Sequence, residues 1–180
     1  MTTLRTLMEI AERSGLEFIV CGGHAVNAYQ VIRKTGDIDL VIRDIDATRW
    51  RENLATLGYS VYHESGAFLQ LQPTSLSAWP IDLVLVDEGT FDAMKRAGKL
   101  FSFGDATCLI PSAEHLIAMK LHALKWSGEK RMRQDAVDIV DLAEEAGIDI
   151  EGDVFRSLSD RFADRRVYER VLQYAGKTPR

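Results

Sequence analysis

The chain has 180 residues, 46% of them apolar and 27% charged, with a net charge of −5. That length fits one domain, or one with a small appendage, and the apolar content excludes a disordered chain. The acidic balance excludes a globally basic nucleic-acid coat, two cysteines exclude a disulfide scaffold, and no apolar run nears the roughly 20 residues of a membrane span. A soluble cytoplasmic protein without a signal peptide is the expectation.

Leu4, Leu7, Met8 and Ala11 recur at helical spacing and predict a helix from about residue 3 to Ser14, stopped by Gly15. Leu16 to Cys21 reads as a short buried strand ended by Gly22-Gly23, and Ala25 to Arg33 as a helix with Ala25, Ala28, Tyr29 and Ile32 on one face. Asp37 to Ile42 is the next strand. Asp46 is placed to cap a helix from Ala47 to Leu57. Tyr59 to His63 and Phe68 to Gln72 flank Ser65-Gly66 as a hairpin, and Ile81 to Val86 is the most strand-like run in the chain. A short helix near Phe91 to Ala97 and one or two strands between Phe101 and Ile110 complete the front part.

The texture changes after Pro111. Helices are predicted from Ala113 to about Trp126, with Ser127-Gly128 as the break, and from Arg131 to Ala146, with two more between Asp153 and Arg180. The expected fold class is α+β: a mixed sheet with flanking helices over residues 1–110, followed by a C-terminal helical bundle over 111–180 packed on that core.

Three acids carry the chemistry. Asp37 and Asp39 stand two apart in a predicted strand, so their side chains share a face about 6.6 Å apart along it. Two carboxylates on an apolar strand repel each other and are costly to desolvate, and a cation between them relieves both costs. Asp82 repeats the arrangement within Ile81-Asp82-Leu83. If the two strands are neighbours, the three oxygen-donor acids converge into a site for Mg²⁺ or Mn²⁺. Upstream, Gly22-Gly23 lies between a strand and a helix, where glycine permits a sharp turn and close approach of a ligand to the main chain. The thirteen residues 24–36 allow one helix and a return, which brings that turn beside the acids.

This set resembles the DNA-polymerase-β-type nucleotidyltransferase superfamily, whose signature is a hydrophobic residue, Gly, Gly or Ser, a spacer of about a dozen residues, Asp-hydrophobic-Asp, and a third acid on a later strand. Here it reads Cys21-Gly22-Gly23, Asp37-Ile38-Asp39-Leu40 and Ile81-Asp82-Leu83. Within the superfamily the chain is most similar to the AbiEii-type proteins of bacterial toxin–antitoxin and phage-defence systems, through Arg33-Lys34-Thr35-Gly36-Asp37-Ile38-Asp39, the Lys120 helix, and Arg133-Gln134-Asp135 opening the next. His24 stands where Ser or Thr is common. The resemblance implies a magnesium-dependent enzyme that moves a nucleoside monophosphate from a nucleoside triphosphate, such as ATP, to an acceptor hydroxyl on an RNA or tRNA end or a protein. It implies Asp37, Asp39, Asp82 and Lys120 as the catalytic residues, metal ions on Asp37, Asp39 and Asp82, and nucleotide contacts from Gly22, Gly23, His24, Arg33, Lys120 and Asp135. It further implies a cognate toxin or antitoxin partner. A non-catalytic, antitoxin-like nucleotide-binding protein of the same fold is the alternative.

Lys120 sits beside the inward face of Leu116, Ile117 and Leu124, from which a phosphate is in reach, and Asp135 is placed either to pair with it or to orient an acceptor. Lys120 to Arg133 holds a charge of +4 in 14 residues against −9 over the rest, an edge suited to an anion. Cys21, His63, His115 and His122 read as structural, and Trp50, Trp79 and Trp126 as core or edge packing.

Overall fold

A computed structural model of the protein describes residues 3–126 and 128–177, without the side chains of 129–131. The chain divides into two compact units, Met1–Ala25 with Arg33–Ser112, and Val26–Ile32 with Ala113–Arg180.

The first unit is built on a five-stranded mixed sheet, ordered β1 (Ile19–Val20), β2 (Ile38–Arg43), β5 (Ile81–Val86), β4 (Phe68–Pro73) and β3 (Tyr59–Glu64). β2 and β5 are parallel, in register from Ile38 opposite Ile81 to Arg43 opposite Val86. Both are near-continuous apolar runs, as central parallel strands require. β4 alternates instead: Leu69 and Leu71 are buried, while Phe68 and Gln72 are exposed. The buried parity of β2, β5 and β4 (Leu40, Ile42, Ile81, Leu83, Leu69, Leu71) forms one face of the sheet, and Asp39, Asp82 and Gln70 stand on the other.

Helix α1 (Thr3–Ser14) buries Leu4, Leu7, Ile10 and Ala11. A single 3-10 turn, Asp44–Asp46, leads into α3 (Ala47–Thr56), which buries Trp50 and Leu54. Asp46 makes no capping bond to that helix; its carboxylate accepts from Arg49 instead. α4 (Glu88–Ala97) is capped by Asp87, whose side chain accepts from the Thr90 amide. β6 (Lys99–Phe103) and β7 (Ala106–Ile110) pair with each other as a separate two-stranded sheet.

Two expectations need correction. The strand predicted over Leu16–Cys21 pairs only at Ile19 and Val20, opposite Val41 and Leu40, because β1 meets β2 antiparallel over two residues. The helix predicted over Ala25–Arg33 is α2 (Gly22–Ala28). It begins at the glycines and stops early, because Gln30 takes the left-handed conformation at φ 65° that terminates helices. Ile32 is consequently 98% exposed rather than inward-facing.

The second unit is helical, with α5 (Ala113–Leu124), α6 (Glu129–Glu145), α7 (Asp153–Phe162) and α8 (Arg165–Tyr174) packed in pairs. Leu116, Ile117, Leu121, Ile139, Leu142, Phe155, Val167 and Val171 form its core. Of the break predicted at Ser127-Gly128, Ser127 lies outside the described residues. The α+β class with a helical C-terminal part is what the sequence predicts. No described helix is long and apolar enough to cross a membrane.

Candidate active site

Asp39 and Asp82 are register partners in the parallel β2–β5 pair, so neighbouring strands place their side chains next to each other on one face. Asp37 stands just before β2 with the same parity as Asp39. One carboxylate oxygen from each of the three lies within 4.8 Å of the others, and all three side chains are half-buried. The convergence expected from sequence is therefore present within the first unit.

The glycines are explained by what lies over them. A Cβ at Gly22 would fall 1.8 Å from Asp39 Oδ2, and Gly22 has φ +57°. A Cβ at Gly23 would meet Thr35 Cβ and Oγ1 at 2.6 Å and Arg33 Nε at 3.3 Å. The turn is thus where the main chain passes under Asp39, Thr35 and Arg33. Thr35 Oγ1 also donates to Asp37 Oδ1 at 3.0 Å, holding that carboxylate from one side.

On the other flank, Gln70 Nε2 donates to Asp82 Oδ2 at 2.6 Å, across the β4–β5 register in which the two residues face each other. Gln70 escaped the sequence reading. Its signal was the polar position between the inward Leu69 and Leu71, but only strand pairing names its partner. Next along the sheet, β3 carries an irregularity between Val61 and His63, and Tyr62 occupies it.

His24 packs beside the acids rather than in open space. Its ring lies 5.2 Å from that of Trp79 and 6.2 Å, edge-on, from Phe103. Burial holds its pKa below the ordinary histidine value, against the opposing pull of the Asp37 charge and a hydrogen bond to the Asp37 backbone. Its Nε2 is buried without a hydrogen-bond partner.

Within the helical unit, Lys120 is buried and its Nζ donates to Asp135 Oδ1 at 2.9 Å and to Asp138 Oδ2 at 2.6 Å. The Lys120–Asp135 pairing expected from sequence is present. Asp138, three residues on and so on the same helix face, was the partner that the reading missed. Of the basic run that follows, Arg133 is exposed, and the side chains of Lys130 and Arg131 lie outside the described residues. Cys21 and Cys108 are buried, and burial pushes the Cys108 thiol up to about 11. Trp50 is core, whereas Trp126 stands exposed rather than packed.

No family model matches the chain, and no curated protein matches it in sequence. Solved structures do match. ANT(2'')-Ia, crystallised with adenylyl-2''-tobramycin, superposes with a TM-score of 0.67 at 16% identity, over 87% of this chain and 94% of that one. The fold is a nucleotidyltransferase fold. A nucleotidyltransferase-like protein from Paracoccidioides brasiliensis shares it at TM-score 0.56 and 13% identity, over 98% and 92% of the two chains. So does the lincosamide antibiotic adenylyltransferase LnuA in its lincomycin-bound form, at TM-score 0.54 and 16% identity, over 81% and 96%. At such identities the likeness is one of architecture. In the nucleotidyltransferase fold of this chain, the three acids meet at the start of β2 and β5, and the glycine turn lies against Asp39.

Proposed function

We propose that the chain is a divalent-metal-dependent nucleotidyltransferase that moves a nucleoside monophosphate from a nucleoside triphosphate to an acceptor hydroxyl. The observation that carries this reading is the meeting of the Asp37, Asp39 and Asp82 oxygens within 4.8 Å of one another. Three negative oxygen donors fit a hard cation, Mg²⁺ or Mn²⁺, and repel one another without it. When bound there, the metal supplies charge neutralisation at the phosphates and at the attacking and leaving oxygens.

The chain's own groups account for the rest. Thr35 and Gln70 each occupy one oxygen of an acid, Asp37 Oδ1 and Asp82 Oδ2, and so fix how those carboxylates are turned. The main chain at Gly22-Gly23, with His24 and Arg33, faces the triphosphate. An acceptor hydroxyl oxygen bonds to the α-phosphorus, and the bond from that phosphorus to the β-bridging oxygen breaks. Pyrophosphate departs with the electron pair, and the hydroxyl proton passes to the Asp82 carboxylate.

ANT(2'')-Ia and LnuA are named for transfer to, or binding of, small antibiotics, which supports ATP as donor and a small hydroxyl acceptor. The AbiEii-type reading, with an RNA or tRNA end or a protein as acceptor and a cognate toxin or antitoxin partner, rests on Arg33 to Asp39, Lys120 and Asp135 alone.

The test is labelling with each of four α-labelled triphosphates, with Mg²⁺ or Mn²⁺, in the presence of lysate and total tRNA. Label should appear in an acceptor and vanish with chelator and in Asp39→Asn. Triphosphate binding without any transfer would leave the non-catalytic partner of the same fold as the function.

A further inference from the structure

Pairing across the sheet lines four strands into a single row. Asp39 faces Asp82, Asp82 faces Gln70, and Gln70 faces His63. Directly paired residues share a face, so the row starts at the candidate metal acids and ends at the β3 irregularity. Strands lie about 4.8 Å apart, so that end is about 10 Å from Asp82, within reach of one small molecule. The bulge leaves Tyr62 and His63 both opposite Gln70, and bulges re-aim side chains beside active sites.

Parity adds Ser60, Phe68 and Gln72 to the same face as Gln70. Tyr62 is 53% exposed and Phe68 43%. β3 and β4 contain no Lys or Arg. Their one acid, Glu64, faces Leu69 on the other parity and is ion-paired with Arg51. What remains is a row of hydroxyl, phenol, imidazole and amide groups with two half-exposed aromatic rings.

An RNA acceptor is held chiefly through its phosphates by Lys and Arg, and this face has neither. Neutral amides and hydroxyls suit an uncharged ligand with many hydroxyls, and an aromatic ring covers the C–H face of such a ligand. We propose, resting on the nucleotidyltransferase reading, that this face of the β3–β4 hairpin is the acceptor subsite and takes an uncharged polyhydroxyl compound, a glycoside or polyol. Tyr62 and Phe68 stack against it, and Gln72 and the Gln70 Oε1 accept from its hydroxyls. Because Gln70 Nε2 already donates to Asp82, the same amide links acceptor binding to the carboxylate that takes the acceptor proton.

Saturation-transfer NMR on the full chain with methyl glucoside, methyl galactoside, sucrose and trehalose tests the subsite without turnover. Label transfer from α-labelled ATP to the same compounds, beside total tRNA, tests it with turnover. At least one glycoside should bind and gain label. Tyr62→Ala should raise its KM tenfold or more and Phe68→Ala several-fold, with triphosphate Kd within twofold of wild type. Binding of none of the four overturns the proposal, as does an unchanged KM in both variants or label confined to tRNA or protein. Triphosphate Kd, and its loss in Asp39→Asn, report on the nucleotidyltransferase reading separately, since glycoside binding is scored without nucleotide.

Discussion

A side chain at Gly22 would run into the carboxylate of Asp39: the added Cβ would lie 1.8 Å from Oδ2 and 2.3 Å from Cγ. The residue that begins α2 and the acid at the second position of β2 therefore share one volume, and glycine is what lets both be there. The left-handed φ of +57° makes the same demand independently.

Gly22→Ala should accordingly displace Asp39, abolish metal-dependent triphosphate binding and cost about 1–3 kcal/mol of stability from backbone strain. Gly36→Ala is the control: a Cβ there meets nothing within 4 Å. Calorimetric titration with Mg²⁺-triphosphate and thermal unfolding of the two variants check the contrast, and equal behaviour would refute it.

Asp39→Asn and Asp82→Asn should each abolish transfer while leaving metal-free stability level or raised. Each removes a negative ligand and, in the empty protein, relieves repulsion among three carboxylates that meet within 4.8 Å. Tm in chelator and label transfer in Mg²⁺ are the two measurements. Full transfer by Asp39→Asn would end the metal-site reading.

Lys120→Met should destabilise the protein by about 3–5 kcal/mol, because it leaves two buried carboxylates, Asp135 and Asp138, without their shared cation. Combining it with Asp135→Asn and Asp138→Asn should restore stability to within about 1 kcal/mol of wild type. Urea unfolding reads both. Triphosphate affinity of the triple variant separates the clasp from the phosphate contact expected from sequence: unchanged affinity leaves Lys120 purely structural.

Glu17 supplies a pH dependence. Hydrogen bonding to Lys95, then to Arg43 at 2.9 Å, holds its pKa below the ordinary glutamate value, against the opposing effect of burial. Because the folded pKa is the lower one, its contribution is complete above the unfolded value of about 4.3 and fades as pH falls through the folded value. Glu17→Gln should therefore lose about 0.5–1 kcal/mol at pH 7, a small cost since the pair is partly exposed. The gap to wild type should close on acidification below pH 4.5. A gap that persists at pH 3 would show that packing, not charge, is what the substitution removes.

The sequence by itself determined the local facts. Acids at alternate positions share a face because the strand period is two, which joined Asp37 to Asp39, and the apolar run Ile81–Val86 forms β5 over its predicted length. The amphipathic spacing of Leu4, Leu7 and Ala11 specified α1 in the same local way. Only tertiary structure decided which groups meet. That Asp39 faces Asp82, and Asp82 faces Gln70, depends on the β2-β5-β4 strand order and register. Lys120 gained Asp138 because α5 and α6 pack side by side. Gly22 is needed because Asp39, seventeen residues later, folds back over it. Periodicity is carried by neighbouring residues, whereas these contacts join distant ones, and pairing of strands and helices is a property of the whole chain.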